Sequence, residues 1–411
     1  MYITGSPFEL GVKNGKLTQE LSEEQEEKFV AFIKSLIPSN ATLNYLKYFV
    51  AWFNKDLDKY MPKELQEEIY GVSLFASKKF DFIAPNYHRI LNYHAAHDIG
   101  HTLQNMNLVE CTAFSLKNEL TTDSALLIGR NLDFSAGDEF AQKRIVAFCK
   151  PQKGYKFMYV TWAGMVGVLS GMNEHGLTIT LNSAKSDIPI SAKTPVSAVS
   201  RMILQYAKTI DEAYQIAKSY ETFVSECFFI GSAIDNNSAI IEKSLSKTVL
   251  YTNNLSSLLL TNHYQSDTLK NTPLNIESIS EGSTLYRYKR AEQLIHNTAL
   301  ADYLQVASIL RNQKGIDDED IGMGNEKVIN QLICHHSIIF NPEKKIVWIS
   351  EYPYQIGKYL AYDLNKVFAD TFNIKSIKNI NENELTIPED SFIHSEQYSR
   401  FKLYKRRNTI H

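Results

Sequence analysis

The spacing of apolar residues divides the chain into a helical first part and a mixed part that begins near position 111. In the first part, apolar residues recur at helical spacing, which predicts amphipathic helices. The residues Ser-Glu-Glu-Gln at 22–25 have the form of a capping box, so we expect a helix to begin there and to run through Leu36. Pro62 is expected as the first residue of a second helix, and a third helix is predicted over 87–106.

From position 111 onwards, short apolar runs separated by turn residues predict β-strands. Two pairs of helices interrupt them: 196–208 with a helix capped by Thr209, and 286–296 with 303–311. The predicted strands cover 112–116, 125–134, 144–149, 157–162, 166–169, 177–182, 227–233, 239–242, 248–251, 258–261, 337–340 and 346–350. This order by itself is compatible with an α/β or an α+β fold.

Composition and charge narrow the class of protein. The 411 residues allow two or three domains or one large unit, and 44% hydrophobic with 22% charged residues can fill a large core. A net charge of −3 gives no reason to expect a nucleic-acid partner. The chain has no apolar run long enough to span a membrane and no secretory signal at its start. We therefore expect a cytoplasmic protein, or a periplasmic or secreted one if a signal has been removed.

Cys111 is the candidate nucleophile. The four cysteines, at 111, 149, 227 and 334, are far apart and form no CxxC pair, so we expect three buried thiols and one reactive thiol. A thiol attacks as thiolate and needs a base and a cationic neighbour. Arg130 and Asp133 follow the buried run 125–128 and would meet Cys111 if the two strands pair as a hairpin. That geometry suits a chain that cuts itself before Cys111, because the freed α-amino group, with a pKa of about 8, becomes the base.

Five short motifs support this interpretation, and each is found in the same order in a known family. They are Gly-Ser-Pro-Phe-Glu-Leu-Gly at 5–11, Glu-Glu-Ile-Tyr-Gly at 67–71, Gly-Met-Asn-Glu-His-Gly-Leu at 171–177, Thr261-Asn262-His263, and Ser283 with Arg287. Together they resemble the acyl-coenzyme A:isopenicillin-N acyltransferase family, and more distantly choloylglycine hydrolase, penicillin V acylase and acid ceramidase. The region 35–58 matches nothing in that family, and Glu110 stands where glycine is often found.

The resemblance implies an α+β fold of the N-terminal-nucleophile type, a four-layer αββα sandwich preceded by a helical pro-segment. Residues 1–110 would be that pro-segment or small subunit, and residues 111–411 the catalytic domain, with cleavage between Glu110 and Cys111. Arg130 would hold the thiolate or the substrate, and Asp133 would orient the new ammonium group. Asn262 would bind the oxyanion of the tetrahedral intermediate, and Arg287 would complete the charge network. The residues expected to bind substrate are Asn182, Asn173 and Trp162.

The implied activity is hydrolysis of a linear N-acyl amide, or acyl transfer from it, through a thioester on Cys111. No cofactor is expected, and the expected partner is a small acyl-amide substrate. The cleaved fragments would form a heterodimer, and a homo-oligomer remains open. Simpler interpretations stay open too: a buried core cysteine, a structural ion pair of Arg130 with Asp133, and a turn asparagine at 262.

A metal site is the main alternative to a thiol nucleophile. His94, His97 and His101 fall on one stripe of a predicted helix, as zinc ligands do, but without the glutamate of a His-Glu-x-x-His motif. We expect a polar helix face that lines the catalytic cleft, or a packed interface, and no metal. A non-catalytic relative with the same fold is a third possibility. The run Cys334-His335-His336 is interpreted as part of a strand without a role.

Overall fold

The computed structural model describes residues 1–102, 109–134, 142–185, 189, 191–373 and 379–408. The strands are β1 Tyr2–Gly5, β2 Val109–Asn118, β3 Ser124–Phe134, β4 Ile145–Pro151, β5 Phe157–Thr161, β6 Ser170–Asn173, β7 Leu177–Ser183, β8 Glu226–Ser232, β9 Asn237–Lys243, β10 Thr248–Tyr251, β11 Ser257–Leu260, β12 Cys334–Asn341, β13 Ile346–Ser350 and β14 Tyr359–Asp363. The helices are α1 Pro7–Leu36, α2 Asn40–Phe53, α3 Leu57–Tyr60, α4 Lys63–Ser73, α5 Asn86–Thr102, α6 Val196–Tyr206, α7 Ile210–Ser219, α8 Pro273–Glu281, α9 Thr284–His296, α10 Tyr303–Leu310, α11 Leu364–Val367 and α12 Glu396–Asn408.

The strands form two sheets. One has eight strands in the order β1-β4-β5-β6-β7-β8-β9-β10, and the other has six in the order β11-β2-β3-β12-β13-β14. Neighbouring strands are antiparallel except β1 and β4, which run parallel. Strands β12 and β13 form a hairpin, which confirms the strands predicted over 337–340 and 346–350.

Three apolar clusters fill the spaces between four layers. Between the sheets, Ile128 and Ile338 of the smaller sheet pack with Val160 and Phe229 of the larger one. Outside the larger sheet, its strands pack against α6 and the N-terminal helices. Outside the smaller sheet, β2 and β3 pack against α9 and α10. This is an αββα sandwich of the α+β class, so the fold implied by the resemblance is confirmed.

The first hundred residues are built into this sandwich. Strand β1 pairs with the edge strand β4, with Ile3 opposite Cys149. Leu10 of α1 and Ile69 of α4 belong to the same apolar cluster as Leu177 of β7. A strand of four residues is too short for its alternation to be recognised in the sequence, which is why the prediction of an all-helical segment was incomplete.

Two predicted helix starts were wrong, and so was one predicted strand. Helix α1 begins after Ser6, which forms a capping box with Glu9, so residues 22–25 lie inside the helix. Pro62 is the N-cap of α4 and precedes its first residue. Residues 166–169 are not a strand, because the backbone N–H of Val168 binds the carbonyl of Ser197 in α6.

Candidate active site

Cys111 lies near the start of β2, where that strand pairs with the end of β3. Cys111 is opposite Leu132 and Ala113 is opposite Arg130, which confirms the predicted hairpin. Because side chains alternate between the faces of a sheet, Cys111 and Arg130 point to the same side. That side faces the larger sheet, and both side chains are fully buried.

The guanidinium of Arg130 joins the two sheets beside the thiol. Its Nη2 lies 3.5 Å from the Sγ of Cys111 and donates to the carbonyl oxygen of Leu181 at 2.6 Å. Its Nη1 donates to Ser170 Oγ at 2.8 Å and to His336 Nε2 at 3.2 Å. The cation therefore lies where it would stabilise a thiolate at Cys111.

The thiol is protonated at neutral pH in the uncut chain. Burial raises the pKa of Cys111 to about 11, with Arg130 opposing that change and Glu226 and Asp133 adding to it. All four cysteines are free, as expected, but all four are buried, whereas three buried thiols and one reactive thiol were predicted. Burial also raises the pKa of Cys227 and of Cys334 well above the usual thiol value. Of the described arginines, Arg130 and Arg287 are the two that favour the thiolate of Cys111.

Asn262 and Arg287 bind the backbone of Cys111. The backbone N–H of Cys111 donates to Asn262 Oδ1 at 2.9 Å, and Arg287 Nη1 donates to the Cys111 carbonyl oxygen at 2.6 Å. Arg287 Nη2 also donates to Asn262 Oδ1 at 2.8 Å, while Asn262 Nδ2 donates to the oxygen atoms of Ser183. These contacts fix the orientation of the Asn262 amide, since two donors require an oxygen at Oδ1.

Glu110 projects to the opposite face of β2. Its carboxylate accepts hydrogen bonds from Ser283 Oγ at 2.7 Å and from Gln331 Nε2 at 2.6 Å, and lies 3.6 Å from Arg287 Nη2. Glycine is not needed at this position, because a built polar site holds the glutamate side chain. The same contacts restrain the side chain of the residue directly before Cys111.

Asp133 lies across the ladder from Glu110, on the face away from the thiol. It is fully buried, and among the described residues neither of its carboxylate oxygens has a hydrogen-bond partner. Burial raises the pKa of Asp133 to about 8; Arg287 and Arg130 oppose this change, and Glu110 adds to it. Asp133 does not contact the nitrogen of Cys111 in the uncut chain, because Asn262 binds that nitrogen. Its predicted contact with the ammonium group concerns the cut chain and stays a prediction.

The three predicted substrate-binding residues have different surroundings. Asn182 is buried in β7, with Nδ2 bound to the carbonyl oxygen of Thr261 at 3.0 Å, and its Oδ1 has no partner in the described part of the chain. Trp162 packs on the rings of Phe134 and His335, with centroids 5.6 and 4.6 Å away. Both residues therefore lie next to segments that form the site.

Asn173 is a turn residue. Its Nδ2 donates to the carbonyl oxygens of Leu204 and Ala207, and its Oδ1 accepts from the backbone N–H groups of His175 and Leu177. These four bonds give the side chain a structural role in the turn, and its predicted role in substrate binding stays a prediction.

The histidine stripe has a structural explanation where the structure describes it. His94 is buried, with Nδ1 bound to the Ile90 carbonyl at 2.8 Å and Nε2 bound to the Val166 N–H at 2.9 Å. Burial lowers its pKa to about 4, so it is neutral. The side chains of His97 and His101 lie outside the described residues. Within the described ranges, no three His, Cys, Asp or Glu side chains are grouped to hold a metal ion.

Ser170, Ser183, Gln331 and His336 contact this site and were not predicted. Their contacts come from β6, β7 and β12 and from the loop before β12, which are remote from Cys111 in the sequence. The two adjacent histidines at 335–336 in an otherwise apolar strand were the one signal available, since buried histidines need partners.

The four-layer sandwich, with its buried cysteine beside a cross-sheet arginine, defines a protein of the N-terminal-nucleophile fold class. Residues 120–350 match the family described as acyl-coenzyme A:6-aminopenicillanic acid acyl-transferase, and this match covers more than half of the chain. The chain therefore belongs to that family. The matched segment contains Arg130, Asp133, Asn262 and Arg287, and Cys111 precedes it.

Sequence relatives and solved structures give more distant matches. The chain is 24% identical over 268 residues to an uncharacterized protein of Archaeoglobus fulgidus, across 60% of this chain and 44% of that protein. It is 23% identical over 266 residues to protein dcd1A of Dictyostelium discoideum, across 58% of this chain and 57% of that protein. It thus spans about half the length of these relatives.

Two solved structures illustrate the fold likeness. The N-acylethanolamine-hydrolyzing acid amidase ortholog of Caenorhabditis elegans is 16% identical, with a TM-score of 0.41 over 57% of this chain and 93% of that chain. Penicillin V acylase from Agrobacterium tumefaciens is 15% identical, with a TM-score of 0.43 over 62% of this chain and 87% of that chain. Among the described helices, none is long and apolar enough to cross a bilayer.

Proposed function

We propose that this chain is the precursor of a cysteine amidase that cuts itself between Glu110 and Cys111. Family membership supports an enzyme that moves acyl groups to or from amide nitrogen. The observation that carries the specific proposal is the 3.5 Å contact between Arg130 Nη2 and Cys111 Sγ, at a residue whose backbone Asn262 and Arg287 hold on both sides. Any buried residue needs partners for its backbone groups, but a core cysteine without a chemical role would not need a guanidinium beside its sulfur.

Self-cleavage would begin when the Cys111 sulfur attacks the carbonyl carbon of Glu110. The new C–S bond replaces the C–N bond, and the nitrogen leaves as the α-amine of Cys111 after taking up the thiol proton. Water then hydrolyses the thioester, which releases the Glu110 carboxylate and restores the thiol. The hydrogen bonds from Ser283 and Gln331 to the Glu110 side chain support this step. They restrain the residue whose carbonyl carbon is attacked.

In turnover the free α-amine would accept the thiol proton, and the thiolate would attack an N-acyl amide. The amine product leaves with that proton, and water or a second amine resolves the thioester. Asn262 would supply a donor to the oxyanion. One hydrogen of Asn262 Nδ2 is donated to Ser183 Oγ. The Ser183 hydroxyl in turn donates to the carbonyl oxygen of Val109, which lies in the fragment before the cleavage site. Once the chain is cut after Glu110, Val109 could move away from Ser183 while its fragment stays bound, and this would free Asn262 and Ser183 to face substrate.

Hydroxylamine trapping tests the proposal. The purified protein is incubated with a panel of N-acyl amides of different chain length, with and without hydroxylamine. A thioester intermediate would give an acyl hydroxamate from wild type and none from Cys111→Ala. Equal turnover by Cys111→Ala would overturn the proposal. Partition of the acyl group between water and added amines would then decide between hydrolase and acyltransferase.

A further inference from the structure

Strand β12 is bulged where it passes the candidate active site. Cys334 lies opposite Asp133 and His336 lies opposite the next residue, Leu132, so His335 is the extra residue on β12. Bulges redirect side chains and are frequent next to active sites. Here the bulge brings two neighbouring imidazoles together, with Nδ1 of His335 and Nδ1 of His336 only 2.8 Å apart. Both rings are fully buried.

His336 shares Arg130 with the candidate nucleophile. One end of the guanidinium, Nη1, donates to His336 Nε2 and to Ser170 Oγ, and the other end, Nη2, faces the Cys111 sulfur. Ser170 Oγ and His336 Nε2 are themselves 2.8 Å apart. A guanidinium is a rigid planar fork, so fixing the direction of Nη1 fixes the direction of Nη2.

The hydrogen bonds determine the proton positions in this chain of groups. Arginine only donates, so the 3.2 Å contact from Nη1 is a hydrogen bond when His336 Nε2 accepts, and the single proton of the neutral ring is then on Nδ1. That proton is donated to His335 Nδ1, which leaves the proton of His335 on Nε2. A protonated His336 could not accept from Arg130 and would repel it. The groups that face His336 are Arg130 from β3, His335 from its own strand and Arg144 before β4, and with burial they hold its pKa well below the usual value.

We propose that Ser170 and His336 are positioning residues that hold the Arg130 guanidinium against the Cys111 sulfur and so make its thiolate accessible. The inference rests on the proposed function. The carbonyl oxygen of Leu181 competes with the Cys111 sulfur for Nη2. It lies 2.6 Å from Nη2, whereas the sulfur lies 3.5 Å away. Without acceptors at Nη1, the guanidinium would be free to turn toward that carbonyl, and the thiolate would lose its cation.

A thiol titration separates this role from a merely structural one. The self-cleaved protein, with both fragments present, is alkylated with iodoacetamide between pH 5 and pH 11. The rate of alkylation at Cys111 is followed by peptide mass spectrometry. His336→Leu removes the acceptor, His336→Gln keeps one at a similar reach, and Ser170→Ala removes the second acceptor. Ser337→Ala is the matched control, since its buried hydroxyl binds Tyr359 and its side chain is on the opposite face of β12.

We expect His336→Leu to slow alkylation about tenfold at a fixed pH below the midpoint, which equals a midpoint shift of about one pH unit. Ser170→Ala should give a smaller shift in the same direction. His336→Gln should restore most of the wild-type profile, and Ser337→Ala should match wild type. The value of kcat should fall with the thiolate fraction, with KM unchanged.

A wild-type titration profile in folded His336→Leu and Ser170→Ala would overturn the inference and leave the proposed function intact. A change in melting temperature alone, with a wild-type titration profile, would likewise overturn the inference and leave the proposed function intact. If His336→Leu does not fold, Ser170→Ala decides, because its midpoint must still rise. A wild-type chain that stays uncut and shows no selective alkylation at Cys111 would instead contradict the proposed function itself.

Discussion

Asn262 Oδ1 accepts the backbone N–H of Cys111 at 2.9 Å, across 151 residues of sequence. In the uncut chain this nitrogen belongs to a peptide bond and has one hydrogen to give. After the proposed cleavage it would be an amine, with a proton to gain from the thiol. The same asparagine thus contacts the atom that changes most between precursor and enzyme, which leads to the first prediction.

Asn262→Asp should impair both folding and activity. The substitution keeps an acceptor for Cys111 but replaces Nδ2 with an oxygen that faces the carbonyl oxygen of Ser183. Loss of that buried bond should lower the free energy of unfolding by about 1–3 kcal/mol. Loss of a donor to the oxyanion should lower kcat by at least about a hundredfold. Urea unfolding and steady-state kinetics measure the two effects, and a variant with wild-type kcat would exclude Asn262 from the oxyanion site.

Self-cleavage should accelerate with pH. Burial raises the pKa of Cys111 to about 11, so below that value the thiolate fraction increases about tenfold for each pH unit. Freshly translated chain, followed on denaturing gels between pH 7 and pH 9, should therefore mature faster at each step. Cys111→Ser is the control, because a serine hydroxyl does not ionise in this range and its profile should be flat. A wild-type rate independent of pH would contradict thiolate attack as the slow step.

Asp133 should make the uncut chain less stable as the pH rises. Its pKa is raised to about 8 in the fold, so between about pH 4 and pH 8 the native state holds a proton that the unfolded state has released. The stabilisation that comes from the raised pKa of Asp133 is present in full below about pH 4 and is lost as the pH rises to about 8. We expect Cys111→Ala/Asp133→Asn to lose less stability than Cys111→Ala between pH 5 and pH 8 in urea unfolding. Parallel curves would show that Asp133 is ionised throughout.

The cut fragments should stay together. Glu68 of α4 and Arg201 of α6 form a buried ion pair at 2.9 Å, with each side chain 1% exposed. Removing one partner of such a pair costs about 3–5 kcal/mol. We expect fragments 1–110 and 111–411 to co-purify, and Glu68→Ala to weaken that association. Glu27→Ala is the control, since its contact with Lys79 is at the surface and should contribute little. Release of wild-type fragment 1–110 on cutting would contradict this prediction.

The two strands of the β2–β3 hairpin could be predicted from the sequence because apolar runs are a local signal. The four-layer sandwich was implied only by the resemblance to the family, since the order of helices and strands alone allows an α/β or an α+β fold. The register of β2 and β3 could not be predicted in the same way. It places Asp133 opposite Glu110 and away from the thiol, and it is set by the pairing of whole strands. Asn173 belonged to a recognised motif, but two of the four backbone groups that bind its side chain come from the distant helix α6 and the residue after it.

The bulge at His335 could not be predicted from the sequence either. One extra residue in a strand leaves no trace when the neighbouring side chain is equally polar, as His336 is. The first helix was misplaced for a related reason: two segments, Ser6 to Glu9 and residues 22–25, both have the form of a capping box, and only one precedes the helix. Packing against α4 decides between them, because Phe8 and Gly11 of α1 already contact α4 in the segment before residue 22.

Intact-mass spectrometry of freshly purified wild-type protein beside Cys111→Ala tests the central claim most directly. We predict that wild type appears as two fragments, 1–110 and 111–411, and that Cys111→Ala remains one uncut chain. Two fragments from Cys111→Ala, or a wild-type chain that stays whole after prolonged incubation at pH 9, would contradict self-cleavage by Cys111.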